Sequence, residues 1–174
     1  MHKLILFSFV AALAAVQISH LYAQDAARPS VLKPGVLSAS DVKIISPTSY
    51  YYAGRAASVQ TRNTAGVRTQ DGKTILVGMV DTSGYSTGIQ QKYQGFFITE
   101  AKIHIEGTEI DPGEYGFGFM NDRFILTNVA AEDVLNVPCK IDEQLKRPVP
   151  LKVTDENGGY RLYAGKKYVV VQVQ

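Results

Sequence analysis

Tryptophan is absent from this 174-residue chain, cysteine occurs once and histidine three times. The single cysteine, Cys139, allows no internal disulfide, so cohesion has to come from a hydrophobic core; beside Val137 and Pro138 it reads as a small buried hydrophobe. His2 and His20 lie in the N-terminal segment, which leaves His104 as the one histidine of the body of the chain. A structural zinc site takes about four Cys or His ligands and a catalytic one about three, more than His104 and Cys139 supply unless carboxylates fill the rest. No metal and no cofactor is expected. Charge of one sign is also lacking: 18 Lys and Arg face 16 Asp and Glu, a formal net charge of +2. That balance excludes a strongly basic nucleic-acid surface, and the doublets Lys146-Arg147 and Lys166-Lys167 read as solvated surface. No glycine loop with the Lys and helix of a phosphate cradle occurs. No G-x-S-x-G elbow occurs either, its nearest fragment being Thr82-Ser83-Gly84-Tyr85-Ser86.

One long apolar run is present, Leu4 to Val16, preceded by Met1-His2-Lys3 and followed by more polar residues as far as Leu21-Tyr22-Ala23. Basic start, apolar middle and small residue at the end read as a secretory signal peptide over 1–23, cleaved near Ala23. The run is too short to cross a hydrocarbon core, which needs roughly 20 residues. A secreted or periplasmic product is expected, with no transmembrane segment in the mature chain. Removing 1–23 leaves 151 residues, a length typical of one domain. It also takes Lys3, so 17 basic residues then face 16 acidic ones. Residues 24–40, with Pro29 and Pro34 and no apolar periodicity, read as a flexible N-terminal segment, and 41–174 as a single β domain.

From Asp41 onward, stretches rich in Val, Ile, Tyr and Phe alternate with Gly, Pro, Asn and Asp, the punctuation of an antiparallel β domain. Strands are predicted over 42–46, 49–53, 58–61, 74–80, 95–99 and 102–106. In the last, Ile103 and Ile105 alternate with Lys102, His104 and Glu106, giving one buried and one wet face. Asp111-Pro112-Gly113 and Asn121-Asp122 supply turns around strands 114–120 and 123–127. Tyr115, Phe117 and Phe119 share one face of the first of these. Gly116 and Gly118 share the other, where the missing side chains admit a neighbouring sheet, loop or ligand. This I-x-P-G-x-Y-x-F-x-F segment, about twenty residues with its surroundings, resembles units of exported bacterial sandwich domains; the resemblance brings no functional residues with it. Residues 128–137 carry Ala130, Ala131, Val134 and Leu135 at helical spacing and are predicted as one short helix. The tail reads as three strands turning at Asn157-Gly158-Gly159 and Gly165, with 168–173 apolar enough to be central. Asp71-Gly72 and residues 155–159 look superficially like calcium loops but lack the alternating oxygen ligands, and read as hairpin turns. The fold class is all-β and mostly antiparallel: a β-sandwich of roughly ten short strands and one short helix, with a small β-barrel as the alternative.

Residues 81–94, between two apolar strands, make a connection of unusual length for a compact domain. Asp81, Ser83, Tyr85, Gln91, Lys92 and Tyr93 are the candidate ligand- or partner-binding residues, an inventory that suits a polar ligand or another surface. The plainer alternative is a solvated hairpin end whose Ile89 and Tyr93 tuck under the sandwich. His104 can serve a hydrolase only with a carboxylate and a nucleophile beside it. The function expected is an exported, non-catalytic β-sandwich module for binding or envelope structure, its partner an unknown protein, glycan or envelope component and not nucleic acid. The alternatives are a small envelope hydrolase using His104, or a carrier whose β domain closes around a small apolar ligand.

Overall fold

The computed structural model describes residues 32–174; the signal peptide read over 1–23 and the first part of the flexible segment, 24–31, lie outside the described residues. Along the chain the elements are β1 (Gly35–Val36), α1 (Ala39–Ile45), β2 (Ser49–Tyr52), β3 (Arg55–Arg68), β4 (Thr74–Val80), α2 (Thr87–Lys92), β5 (Gly95–Thr99), β6 (Ile103–Ile105) and β7 (Thr108–Ile110). Then follow β8 (Gly113–Met120), β9 (Arg123–Thr127), β10 (Asp133–Pro138), β11 (Lys140–Ile141), β12 (Val149–Glu156), β13 (Gly159–Gly165) and β14 (Lys167–Val173).

Two antiparallel sheets form. The first runs β1-β3-β4-β5-β8-β9-β10, with β2 paired to β3; the second runs β12-β13-β14-β6-β7, with β11 paired to β14. The architecture is a β-sandwich and not a closed barrel. The tail strand β14 is central in its sheet, between β13 and β6. Among the described residues no helix is long and apolar enough to cross a membrane.

The core between the sheets is aromatic and aliphatic: Phe97, Phe117, Phe124, Ile103, Ile105, Leu126, Leu162 and Val169 are each at most 1% exposed. Full burial of one such side chain stabilises by about 1.5–3 kcal/mol. Strands β4, β5 and β8 are buried on both faces, which is why TILVGMV and GFFIT read as continuous apolar runs. Ile75, Val77, Phe97 and Phe117 point to the inter-sheet core, whereas Leu76, Val80 and Phe96 point outward to a second cluster with Tyr50, Tyr52, Tyr85 and Tyr93. Long β3 reaches both layers by bending: between the pairs Val59↔Val80 and Thr64↔Gly78 it advances five residues against two on β4. Gln60 Nε2 donates to the Val80 carbonyl at 3.1 Å and Asn63 to Gln60 at 2.8 Å within this bulge.

The edges of both sheets are short or interrupted. β1 has two residues and β7 three. β10 carries a register shift between Asp133 and Leu135 and ends on Pro138; β12 carries one between Val149 and Lys152 and contains Pro150.

Three segments differ from the sequence-based expectation. Residues 128–137 are not a helix: Asn128 Oδ1 accepts the N–H groups of Ala130 and Glu132, both at 3.0 Å, and Ala131 sits at φ +68°, closing a tight turn. The chain then leaves as β10, with Leu135 inward and Val134 outward. The predicted strand 42–46 is the body of helix α1, capped by Ser38, whose Oγ accepts the Asp41 N–H at 3.2 Å. The segment read as flexible is tied down from Gly35, which pairs with Arg68, and Leu37 beyond it is buried.

Gly118 lets α2 lie on the sheet, since a Cβ there would come 2.3 Å from the Lys92 carbonyl oxygen. Gly118→Ala should therefore destabilise by about 1–3 kcal/mol, whereas Gly88→Ala, where a methyl meets nothing within 4 Å, should leave the melting temperature unchanged or slightly higher. Paired thermal melts read the difference.

Candidate functional site

The connection 81–94 is a cap, and its two tyrosines belong to the core. Tyr93 is 0% exposed and Tyr85 8%. Tyr93 stacks on Tyr52 with ring centroids 3.8 Å apart, and Tyr85 meets both edge-on, at 5.3 Å and 6.2 Å. The Tyr85 hydroxyl reaches the carbonyls of Tyr52 and Arg55 at 3.1 and 2.8 Å, pinning the β2–β3 hairpin. Gln94 closes the cap: its side chain donates to the Phe119 carbonyl at 3.2 Å and accepts the Phe119 N–H at 3.0 Å, while its own N–H donates to Phe117. Of the predicted site residues, Tyr85 and Tyr93 are thus withdrawn from solvent and cannot face a ligand. Asp81, Ser83 and Gln91 are exposed, and Lys92 is half-buried. Asp81 accepts the Ser83 N–H at 3.0 Å, which holds its carboxyl below the ordinary range. Lys92 pairs with Asp133 at 2.9 Å and so ties α2 to β10.

Burial pushes the phenols of Tyr50 and Tyr93 well above the ordinary tyrosine range, with Glu114 adding to the first and Tyr85 to the second. Among the described residues the buried Tyr93 hydroxyl has no hydrogen-bond partner, since the neighbouring Tyr85 hydroxyl is engaged with the Tyr52 and Arg55 carbonyls.

A concave feature lies elsewhere. An open cleft of about 580 Å³ forms where the β3–β4 turn faces the β12–β13 turn and the end of β14. Thr69, Gln70 and Asp71 line one wall; Asp155, Glu156, Gly158 and Gly159 the other; Tyr160, Val173 and Gln174 complete it. Both acidic turns singled out in the sequence are hairpin turns, Gly72 at φ +83° and Gly158 at φ +78°, and together they make the two rims. The Thr69 hydroxyl and the Lys73 ammonium hold the Asp71 carboxyl low. Glu156 pairs with Arg161. Partial burial, and then the charge of Asp155, raise the Tyr160 phenol. Carboxylates, amides and one phenol line the cleft, with no cation among them. A volume in this range holds a small ligand or a few residues of a chain. Among the described residues, no cluster of three or more His, Cys, Asp or Glu could hold a metal ion.

His104 stands beside this cleft and not within it. Its Nε2 lies 3.4 Å from Gln174 Nε2, and Gln174 in turn donates to Glu109 at 3.2 Å. No carboxylate hydrogen-bonds to His104 among the described residues. Ser83 follows β4 of the first sheet, His104 is on β6 of the second, and Cys139 lies in the link between β10 and β11, half-buried with its thiol pushed up by burial. Neither Ser83 nor the Cys139 thiol hydrogen-bonds to His104 among the described residues. The void between the sheets near Val67, Phe97, Leu162 and Val171 is about 10 Å³, at the limit for one water and too small for an apolar ligand.

Compared with protein-family models, with curated proteins and with solved structures, the chain matches none.

Two outcomes follow from the tyrosine cap. Tyr93→Phe removes a buried hydroxyl that has no partner and should leave stability unchanged or raise it, whereas Tyr85→Phe takes a donor from two carbonyls and should cost about 1–3 kcal/mol; denaturant titration of both separates them. Because the folded phenols of Tyr50 and Tyr93 ionise only well above the unfolded value of about 10, their contribution is complete below that pH and lost as pH rises above it. Melts between neutral pH and the strongly alkaline range should fall from about pH 10 upward, and less steeply for Tyr93→Phe.

Proposed function

We propose that the chain is an exported, non-catalytic β-sandwich module that binds an uncharged or cationic polar ligand, a glycan or a polypeptide segment, in the end cleft. The carrying observation is the cleft itself, about 580 Å³ between two acidic hairpin turns, with hydrogen-bonding groups and no cation in its lining. Of the lining carboxylates, Asp71 and Glu156 are paired with Lys73 and Arg161, while Asp155 has no ion-pair partner among the described residues, so a neutral or cationic polar ligand fits better than an anion. His104, with no carboxylate hydrogen-bonded to it among the described residues, supports a binding role over a hydrolytic one, and the small void between the sheets supports it over an apolar carrier. Export rests on the basic start and apolar run of the first 23 residues.

The test is recovery of the tagged chain from the exported fractions of its host, beside a Gln70→Ala, Asp155→Ala variant whose two changes are at exposed positions. A component retained by the wild type and weakened at least tenfold in the variant, at equal melting temperature, supports the reading; N-terminal sequencing should then begin at Gln24. Equal retention by both would place the binding surface outside the cleft. Hydrolytic activity lost in His104→Ala would replace the proposal with the enzyme alternative.

A further inference from the structure

The basic doublets Lys146-Arg147 and Lys166-Lys167 are about twenty residues apart in sequence, yet the fold brings them to one corner. Val149 pairs with Gly165, and the Asp142 N–H donates to the Lys166 carbonyl at 2.9 Å, so both ends of the β11–β12 loop are fastened beside the β13–β14 turn. In register at the same place lie Lys140 opposite Tyr168 and Ile141 opposite Lys167. Lys140 pairs with Glu106 and Lys167 with Asp122. Lys146, Arg147 and Lys166 have no ion-pair partner among the described residues. Of the loop's carboxylates, Asp142 is engaged with the Tyr163 hydroxyl at 2.9 Å and lies 4.0 Å from Arg161. Glu143 is the loop's other carboxylate and forms no ion pair among the described residues.

This corner and the cleft occupy opposite ends of β12 and β13, whose far pair is Glu156↔Gly159. Seven strand intervals put them ~23 Å apart. The three cations without an ion-pair partner are therefore gathered at one end of the second sheet, while at the other end Asp71 and Glu156 are paired with Lys73 and Arg161. Within the cationic end Ile141 is 50% exposed, an aliphatic contact set among lysines, as in peripheral membrane surfaces. The corner has no aromatic platform for bases: Tyr163 is buried and the Arg161 guanidinium covers Tyr168, 4.7 Å from its ring centre.

We propose that this corner rests reversibly on an anionic phospholipid surface. The end cleft, at the far end of β12 and β13, then faces away into the aqueous space. Three free cations without a lipid anchor give weak, salt-sensitive attachment, each cation being worth about fivefold in partitioning.

The test is co-sedimentation of the full chain with vesicles of phosphatidylglycerol and phosphatidylcholine in equal parts, and with phosphatidylcholine alone. Wild type and variants carry identical N-terminal residues, whose contribution cancels in the ratio. Binding should need phosphatidylglycerol, fade as the Debye length shrinks toward about 3 Å near 1 M salt, and fall about 25-fold in Lys146→Gln, Arg147→Gln. Lys166→Gln should weaken it about fivefold, and Lys73→Gln at the cleft end should leave it unchanged. Equal binding to phosphatidylcholine alone, indifference to the double substitution, or retention of duplex DNA without retention of vesicles would each overturn the proposal.

Discussion

Tyr52 and Tyr93 lie face to face over Gly116, where a Cβ would come within 2.6 Å of one ring and 2.9 Å of the other. The whole outer layer depends on that absence of a side chain. With Gly78 beneath Phe96 and Gly118 beneath the backbone of Lys92, the first sheet offers a glycine-floored strip to which aromatic rings and a helix end can descend. Sheets are usually covered on one face by a partner and on the other by water; here tyrosines cover the second face. Each ring adds apolar area, and each pair of rings contributes about 0.5–1.5 kcal/mol beyond it. The hydroxyls then fasten the layer to the backbone, Tyr52 to Thr127 at 2.6 Å and Tyr85 to the hairpin carbonyls.

That layer fixes what the rest of the molecule is free to do. A first sheet covered from outside presents Phe97, Phe117 and Phe124 inward, and the second sheet packs on them, leaving a void of about 10 Å³ near Phe97. Where the sheets run out, the β3–β4 and β12–β13 turns are left facing each other, so the cleft is a product of strand length and not of a dedicated loop. Its walls come from residues some 85 positions apart in the chain, joined by no local pattern.

This separation explains what was legible in the sequence. Strands with period two or with unbroken apolar runs, such as Thr74–Val80 and Gly95–Thr99, could be read to the residue, and the glycine face of β8 could be read as a place of close approach. Residues 128–137 could not, because a four-residue apolar spacing is shared by a short helix and by a bulged strand after a turn. The decision came from the Asn128 side chain and the left-handed Ala131. Helix α1 was hidden for the converse reason: Val42 and Ile45 pack beneath it within a stretch that also reads as strand. In the connection 81–94, polar residues and tyrosines were read together as one recognition surface. The structure divides them, the polar groups staying wet while the rings enter the core. The acidic turns were visible one at a time, but their pairing required the register of both sheets.

The interrupted strands at the sheet margins have a consequence for copies of the chain that fold at close quarters. A long, flat margin would offer its free N–H and C=O groups to any neighbouring copy, the first step of fibril growth. Two- and three-residue margins at β1 and β7, and the prolines and register shifts of β10 and β12, deny such a template to the next molecule. Crowded copies folding side by side should therefore remain separate particles, each closing on its own core before a shared cross-strand ladder can nucleate.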